Sequence, residues 1–348
     1  MRCSLVALAP VASALMQFRA PLIADGYAAK TAGDALLVYL PGFDGANLAP
    51  FLQWPALHDA GFDVRCASID EDDRSTFDEL VKAASSYIER EACDRPCLLV
   101  GESFGGALAT VVAQQASNVV EGVVLVNPAT CYAESALASK APPILELPAW
   151  AYYVGLASLL PLFVDRHGVR ALFDIVTNKR LPCVIETPRQ EAYMGRVALS
   201  LPERIARMPR GTLAWRLREW LDVGAKVDVG ALKQPTLVVF GDEDNTLPSE
   251  REAARVVALL TKARAVRVPG AGHAATLGSR VDLRAEVAAF FGAEPGFSFL
   301  AGAPRKMRAD ASQDGEASSL YGLYPRTHAP VAVFDYFNAE NDARVGVR

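Results

Sequence analysis

The sequence predicts an α/β protein with a doubly wound, mostly parallel sheet and a helical cap insertion. Apolar runs of strand length alternate with helix-like stretches between residues 35 and 128, and a further run of this kind begins at Thr236. Strands that alternate with helices pair in parallel, because each crossover helix returns the chain to the same edge of the sheet. Between residues 131 and 232 the alternation gives way to proline-rich, helix-like pieces, and this interruption predicts the cap.

The elements of the sheet follow one another in a regular order. Strands are predicted over residues 36–40, 64–69, 97–100, 123–126, 236–240 and 265–268, and helices near 48–60 and over 77–91 and 107–113. Thr76 and Glu79 have the spacing of a capping box, which favours a helix that begins at Phe77. Most of the strands are almost wholly apolar, as expected when helices cover both faces of a sheet.

Changes in composition divide the chain into a core, a cap and two terminal segments. The predicted core comprises residues 17–131 and 232–292, the cap comprises residues 132–231, and residues 293–348 form a tail. The tail is expected to be largely disordered, because much of it is polar, rich in small residues and without periodicity. Residues 1–16 contain Arg2, a short apolar stretch and no acid. This composition indicates a targeting segment, with an ordinary N-terminus as the alternative.

The overall composition is that of a globular protein and excludes several function classes. Of the 348 residues, 51% are hydrophobic, enough to bury a large core, and the net charge is -5. No basic stripe is present, so nucleic acid is not an expected partner. The six cysteines are scattered without metal-ligand spacing, and no dinucleotide or phosphate-loop motif occurs. We therefore expect neither a metal nor a cofactor.

A Gly-x-Ser-x-Gly pentapeptide, residues 101–105, stands between the third predicted strand and the helix after it. This is the arrangement of a nucleophile elbow, in which a sharp strand-to-helix turn presents one hydroxyl at the end of a sheet. Glycines suit such a turn because neighbouring chain segments come too close for a Cβ atom. Ser103 is therefore the candidate nucleophile.

A serine hydroxyl is a weak nucleophile at neutral pH and needs a base, and the chain has four histidines to supply one. They are His58, His167, His273 and His328. In the expected chain order of nucleophile, acid and histidine, the first precedes Ser103, the second has no acid-bearing strand end before it, and the last lies in the tail. His273 follows a predicted strand in a glycine-rich loop, where a base at a sheet end belongs.

The acid that orients the base is expected in the loop after the buried strand 236–240. This loop reads Gly-Asp-Glu-Asp-Asn over residues 241–245 and offers three carboxylates. Asp244 fits the pattern of a glycine, two intervening residues and an aspartate best, and Asp242 is the second choice. Aspartates also form ordinary polar turns, so the assignment depends on Ser103, the acid and His273 occurring together in the right order.

Ester chemistry at a serine also needs donors for the oxyanion of the tetrahedral intermediate. The predicted strand 36–40 ends in the turn Pro-Gly-Phe-Asp-Gly, residues 41–45. We expect the backbone N–H groups of Phe43 and Phe104 to form this oxyanion hole, since one follows a strand end and the other follows the nucleophile. A plain Asp-Gly turn is the alternative interpretation of residues 41–45.

The cap contains an apolar run, residues 144–163, that is about long enough to span a bilayer. Glu146, Pro148 and Pro161 interrupt the run, which argues against a spanning helix. The first interpretation is therefore the core of the cap. The second is the wall of a lipid-chain tunnel or a face that contacts a membrane surface.

Six short segments together resemble the hydrolase half of the plant phytyl ester synthase family. They are residues 41–45, 73–77, 101–106, 127–130, 211–215 and 244–249, of which the Asn-Pro-Ala-Thr and Asp-Asn-Thr-Leu-Pro-Ser pieces are more specific than the pentapeptide. The resemblance covers roughly residues 17 to 292. It implies an α/β-hydrolase fold, a plastid location, and transfer of fatty acyl groups to phytol or diacylglycerol. It also places Ser103, Asp244 and His273 at the triad positions.

The expected function is that of a serine acyl hydrolase or acyltransferase that acts on lipid-like fatty-acyl esters through an acyl-enzyme. A fatty-acyl ester is the expected substrate, and an alcohol acceptor would be the second partner if acyl transfer occurs. The family's second, acyltransferase-like domain has no counterpart in these 348 residues, which fits a shortened sequence or a free-standing hydrolase. Alternatives are a peptidase-like or haloperoxidase-like enzyme of the same fold, and an inactive scaffold. Without the resemblance, a cytoplasmic or secreted location is expected, and the oligomeric state is open.

Overall fold

A computed structural model gives the fold of most of the chain. It describes residues 16–29, 34–47, 49–93, 95–163, 169, 180–181, 187–204, 208–277, 281–300 and 318–319. The strands in this part of the chain are β1 Met16–Arg19, β2 Ala35–Leu40, β3 Phe62–Ile69, β4 Cys97–Glu102, β5 Val120–Val126, β6 Arg180–Leu181, β7 Thr236–Gly241, β8 Ala263–Val268 and β9 Ser318–Ser319.

The helices alternate with the strands and fill the cap. They are α1 Trp54–Asp59, α2 Phe77–Ala92, α3 Phe104–Gln115, α4 Ala136–Leu145, α5 Tyr152–Ala157, α6 Leu160–Phe163, α7 Pro188–Arg204, α8 Arg210–Trp215, α9 Asp222–Gly224, α10 Ser249–Leu259 and α11 Leu283–Phe291. Short 3-10 helices span Ile23–Asp25, Phe51–Gln53, Ala129–Glu134, Val229–Ala231 and Pro295–Leu300, and a π-helical turn spans Arg216–Leu221.

The main sheet has seven strands in the order β1-β3-β2-β4-β5-β7-β8. β1 is antiparallel to β3, and every other neighbouring pair in this sheet is parallel. β6 and β9 pair with each other in a separate two-stranded ladder. The predicted doubly wound, mostly parallel sheet is therefore confirmed. Each predicted strand is present with different ends, whereas β1, β6 and β9 were not predicted.

Helices cover both faces of the sheet, which explains why its central strands β2, β4 and β7 are almost wholly apolar. Leu36, Val38 and Leu40 of β2 pack in the core on the side of α2 and α3, whereas Leu37 and Tyr39 point to the opposite core beside α1 and α11. Because successive side chains of a strand alternate between faces, a strand covered on both sides has no polar face. The predicted capping box at the start of α2 is also present, with Thr76 and Glu79 bonded reciprocally.

The chain order of the strands reverses between β2 and β4, which are neighbours at the centre of the sheet. From β2 the chain runs outward to β3 and then returns to β4 on the other side. A crevice opens at such a switch point, outside the carboxyl ends of the two strands. The turns after β2 and β4 hold Phe43 and Ser103, so the candidate site lies at this crevice.

Both predicted ends of the packed domain need correction. Met16 is buried in β1, so the last residue of the predicted targeting segment belongs to the sheet. Phe297 and Leu300 are also buried, and the Phe297 ring lies 5.5 Å from that of Phe291. The first residues of the predicted tail are thus part of the core, because isolated aromatic contacts stabilise a short segment that has no periodic pattern to reveal it. Residues 1–15, 301–317 and 320–348 lie outside the described residues.

Within the cap, the apolar run 144–163 divides into a buried set and an exposed set. Tyr152, Leu159 and Leu162 are buried, and the Tyr152 hydroxyl donates to the carbonyl oxygen of Met208 at 2.8 Å. Trp150 and Val154 are mostly exposed. No helix in the described ranges is both long enough and apolar enough to cross a bilayer.

Candidate active site

Ser103 occupies the sharp turn between β4 and α3, with φ 54° and ψ -118°. A non-glycine residue with positive φ is strained by about 1–3 kcal/mol and persists only where its surroundings fix it. Here the Ser103 N–H donates to the Val126 carbonyl at 2.9 Å, and the Ser103 carbonyl accepts from Gly106 at 2.9 Å and Ala129 at 2.8 Å. The backbone of Ser103 is therefore held on both sides, and its hydroxyl is directed to the end of the sheet.

The two glycines of the pentapeptide are explained by close backbone approach. A Cβ atom at Gly101 would overlap the carbonyl of Gly105, and a Cβ atom at Gly105 would overlap the carbonyl of Leu40. Helix α3 packs this tightly because it starts directly above the sheet. The sequence pattern and the geometry of the elbow thus agree.

The structure brings Ser103, His273 and Asp244 together in one chain of hydrogen bonds. His273 Nε2 lies 2.9 Å from Ser103 Oγ, and His273 Nδ1 lies 2.9 Å from Asp244 Oδ2. All three side chains are largely buried. The geometry is that of a nucleophile, a base and an orienting acid.

Asp242, the second choice for the acid, lies elsewhere. Its carboxylate accepts from the Arg267 guanidinium at 2.6 and 2.8 Å and from the Gly270 N–H at 2.5 Å. Arg267 comes from β8, and its side chain is mostly exposed. Asp242 therefore tethers the loop before His273 to the surface of the sheet and does not contact the imidazole.

Asp244 is surrounded by donors that sequence reasoning missed. Its Oδ2 accepts from the Ser249 hydroxyl at 2.5 Å, and its Oδ1 accepts from the N–H groups of Thr246 at 2.8 Å and Leu247 at 3.2 Å. An aspartate that accepts from the N–H two residues later forms an Asx turn, a local signal that the sequence contains. These donors hold the carboxylate in the orientation that faces His273.

The pKa values of the pair shift in opposite directions. Burial raises the pKa of Asp244, but the charge and hydrogen bond of His273 and the bonds from Ser249 and Thr246 outweigh burial and lower that pKa. Burial by itself lowers the pKa of His273, yet the Asp244 carboxylate raises it above the ordinary value, with further contributions from nearby acids. Each partner thus favours the charged form of the other.

Two further acids, Glu102 and Asp44, lie near the imidazole. Burial raises the pKa of Glu102 to about 7, although its hydrogen bond from the Tyr39 hydroxyl at 2.8 Å opposes this shift. Burial likewise raises the pKa of Asp44. Both acids raise the pKa of His273 when they are ionised. The charge around the base therefore depends on three carboxyl groups, of which Asp244 contributes most.

The turn after β2 passes directly beside the nucleophile. A Cβ atom on Gly42 would lie 3.7 Å from Ser103 Cβ, and the Gly45 N–H closes the turn on the Gly42 carbonyl at 2.9 Å. Phe104 is the first residue of α3, where a backbone N–H has no acceptor within the helix. Phe43 and Phe104 thus both flank Ser103, as the sequence predicted, and their part in binding an oxyanion remains a prediction.

A buried arginine of the cap, Arg216, fixes this turn, and sequence reasoning missed it. Its Nη1 donates to the Phe43 carbonyl at 2.8 Å and its Nη2 to the Asp70 carbonyl at 2.6 Å. The guanidinium stacks on Trp220, with 4.4 Å to the ring centre, and burial lowers the pKa of Arg216 to about 10. Arg216 lies in the π-helical turn, and such turns are frequent at functional sites.

An aromatic contact places the cap over the site. Phe163, at the end of α6, lies 5.7 Å from the Phe43 ring and 5.9 Å from the His273 ring. The Thr246 hydroxyl also donates to the Leu162 carbonyl at 2.5 Å. Phe163 therefore gives the site an apolar wall beside the His273 ring.

The described residues hold no group of three or more His, Cys, Asp or Glu side chains that could bind a metal ion. What the residues at the end of the sheet do provide is a serine hydroxyl hydrogen-bonded to a histidine at the start of a helix. In other proteins, such a combination activates a serine for attack on a carbonyl group.

The fold and this arrangement define a class. Residues 17–290 match the model of the alpha/beta hydrolase family, and the chain belongs to that family. The chain is 30% identical over 254 residues to phytyl ester synthase 1, chloroplastic, of Arabidopsis thaliana. The matched region covers 71% of this chain and 35% of that protein. The chain is 28% identical over 272 residues to phytyl ester synthase 2, chloroplastic, of the same plant, with coverage of 73% and 37%.

The chain thus spans about a third of the length of the curated relatives it matches. The resemblance seen in the sequence is confirmed by these matches. Solved structures of the same fold include the esterase RhEst1 from Rhodococcus, with a TM-score of 0.55, 15% identity, and coverage of 80% of this chain and 94% of that one. At this level of identity the similarity concerns the fold alone.

Proposed function

We propose that this chain is a serine ester hydrolase or acyltransferase that acts on lipid-like fatty-acyl esters through an acyl-enzyme. The observation that carries the proposal is the unbroken chain of hydrogen bonds from Ser103 through His273 to Asp244. Three residues far apart in the sequence meet beyond the carboxyl ends of the parallel strands. Ser103 keeps a strained backbone conformation there. Strain of this kind is typical of functional sites.

In the proposed mechanism, Ser103 Oγ attacks the ester carbonyl while His273 Nε2 accepts its proton. Asp244 keeps the other ring nitrogen protonated and stabilises the imidazolium that forms. The N–H groups of Phe43 and Phe104 are the proposed donors to the oxyanion. His273 then returns the proton to the departing alcohol, and the acyl group stays on Ser103. Water or a second alcohol, activated by His273, releases the acyl group in the second step.

The preference for lipid-like esters is supported by the apolar surroundings of the site and by the matched relatives. The Phe163 ring lies against His273 and against the Phe43 ring, and α5 and α6 of the cap are largely apolar. The matched relatives are phytyl ester synthases of the chloroplast by name, which favours long-chain acyl groups, an alcohol acceptor and a plastid location for this chain as well.

A series of soluble and emulsified esters that differ only in acyl-chain length tests the proposal. We expect turnover to rise with chain length, and intact-mass measurement after rapid quenching to find the acyl group on the peptide that carries Ser103. Addition of phytol or a diacylglycerol would convert part of the free acid product into a new ester if transfer occurs. Turnover of peptide or peroxide substrates instead would favour the two enzymatic alternatives. Absence of turnover for every ester would favour an inactive scaffold.

We also propose that the cap contacts a lipid–water interface through an exposed apolar surface, the cap patch. The cap patch consists of Trp150, Tyr153, Val154 and Leu160, which are 83%, 63%, 72% and 59% exposed. Residues 142–161 contain one charged residue, Glu146, so the patch offers little to an ionic partner. Trp and Tyr side chains favour the boundary between water and lipid. Leu160 belongs to α6, and the Phe163 ring of the same helix lies 5.9 Å from the His273 ring.

A double variant, Trp150→Ser with Val154→Ser, is expected to bind phosphatidylcholine vesicles at least about tenfold more weakly, because two large apolar side chains no longer enter the lipid. Co-sedimentation measures the binding. Leu259→Ser is the matched control, since Leu259 is half exposed at the far end of α10, away from the cap. Failure of the wild-type chain to bind vesicles would contradict the proposal. Self-association that only the double variant lacks would assign the cap patch to a second copy of the chain.

A further inference from the structure

Asn127 directly follows β5 and opens the Asn-Pro-Ala-Thr motif, which plays no part in the proposed chemistry. The residue is fully buried and has φ 41°, a left-handed conformation that is uncommon outside glycine. Its backbone N–H donates to the Val239 carbonyl of β7 at 3.0 Å. Asn127 therefore sits where the strand after the nucleophile meets the strand that leads to the acid.

The side-chain amide of Asn127 links two active-site loops. Its Nδ2 donates to the carbonyl of His273 at 2.5 Å and to the carbonyl of Gly272 at 3.2 Å. Its Oδ1 accepts from the N–H of Gly241, the last residue of β7, at 3.0 Å. One amide thus holds the main chain of the base itself and the strand end from which the loop with Asp244 starts.

The nucleophile is held by the chain on either side of Asn127. The Val126 carbonyl accepts from the Ser103 N–H, and the Ala129 N–H donates to the Ser103 carbonyl. The short segment 126–129 consequently contacts the main chain of Ser103 through its backbone, and that of His273 through the Asn127 amide. It also contacts the end of β7. The segment thus bonds the main chains of Ser103 and His273 and the strand end that precedes Asp244.

We propose that Asn127 is a positioning residue, whose amide sets the place of the His273 main chain relative to Ser103 and Asp244. The two N–H donors and single carbonyl acceptor of an amide match the two carbonyls and one N–H group that face it. An ionised aspartate, which has acceptors only, would oppose the carbonyls of Gly272 and His273. Reaction rates are sensitive to such placement, since a displacement of about 1 Å can lower a rate about 10²-fold.

The proposal rests on the proposed function, and Asn127→Gly tests it. Glycine accepts positive φ without strain, so this change removes the amide and leaves the backbone conformation available. With a dissolved short-chain ester we expect kcat to fall about 10²-fold or more, while KM changes little. Thr130→Val is the matched control. Thr130 is buried in the same motif, but its hydroxyl donates to Glu252, which lies outside the triad and its loops.

A second readout separates positioning from a purely structural role. The proton between His273 Nδ1 and Asp244 gives a low-field resonance in the ¹H NMR spectrum when this hydrogen bond is formed. We expect this resonance in the wild type and in Thr130→Val, and expect it to shift or disappear in folded Asn127→Gly. The spectrum does not require turnover. An inactive wild type would therefore contradict the proposed function, whereas an unchanged resonance and kcat in Asn127→Gly would overturn the role of Asn127.

The melting temperature of each variant shows whether it is folded under the conditions in which kcat and the NMR spectrum are measured. Should Asn127→Gly not fold, Asn127→Asp takes its place, because it keeps the side-chain volume and the acceptor for Gly241 and replaces the two donors with an acceptor that opposes the carbonyls of Gly272 and His273. The same loss of kcat and of the low-field resonance is expected of folded Asn127→Asp. Failure of both variants to fold would assign Asn127 to the stability of the fold alone and would overturn the proposal.

Discussion

Ser103→Ala is expected to lower kcat for ester hydrolysis by on the order of 10⁶-fold, the largest effect of any substitution in the chain. In the proposed mechanism the hydroxyl oxygen forms the acyl bond, and among the described residues His273 contacts no other hydroxyl that could replace it. The fold should change little, since alanine and serine are equally strained at φ 54° and the backbone bonds of this residue remain. Steady-state kinetics and labelling by a fluorophosphonate measure the effect.

Ser85→Ala is the matched control for this substitution. Ser85 is buried in α2, and its hydroxyl has no hydrogen-bond partner among the described residues. Its loss should leave kcat and probe labelling at the wild-type level. If the fluorophosphonate labelled Ser103→Ala as strongly as the wild type, Ser103 could not be the nucleophile, and the proposed acyl-enzyme would have to be abandoned.

The elements of the sheet and the elbow could be predicted because their signals are local. A strand buried on both faces is an apolar run, and the sharp turn at Ser103 requires glycines on either side of it. The order of strand, turn and helix around residues 101–105 then indicates a parallel sheet with crossover helices. For the same reason His273 could be selected, since it alone combined a strand end with a glycine-rich loop in the right part of the chain.

The sequence ranks Asp244 above Asp242 as the acid that orients His273, and only the fold shows which carboxylate contacts the imidazole. Both aspartates follow the same strand, and the difference between them comes from a neighbour in space. Arg267 of β8 binds Asp242 at the surface, while Ser249 and His273 bond the Asp244 carboxylate in the interior. The loop pattern ranks Asp244 first, but the contacts that direct Asp244 inward and Asp242 outward come from His273 and Arg267, which are distant in the sequence.

Arg216 and Asn127 could not be predicted as parts of the site, because their partners are distant in the sequence. Arg216 bonds the carbonyl of Phe43 across 173 positions, and Asn127 bonds that of His273 across 146. Backbone carbonyls leave no trace in composition or spacing, so residues that recognise them look like ordinary polar side chains. The same limit applies to Phe297, whose burial depends on a contact with Phe291.

Asp244→Asn is expected to lower kcat by on the order of 10³–10⁴-fold, because the amide cannot stabilise the imidazolium and favours the wrong tautomer of His273. His273 must be neutral to accept the Ser103 proton, so activity falls as the pH decreases through the pKa of His273. In the wild type that pKa is raised, chiefly by Asp244 acting against burial. Removing the charge lets burial dominate and lowers the pKa, although Glu102 and Asp44 still raise it in part.

The acid limb of the kcat/KM profile should therefore move to lower pH in Asp244→Asn, while the plateau falls. Asp242→Asn provides the matched control on the same loop: it weakens the pair with the mostly exposed Arg267, which contributes little, and the amide oxygen can still accept from the Gly270 N–H. Its kcat is expected to stay within about twofold of the wild type, with the acid limb in place. If Asp242→Asn shifted the limb and Asp244→Asn did not, the orienting acid would be Asp242. Asp244 would then have only a structural role.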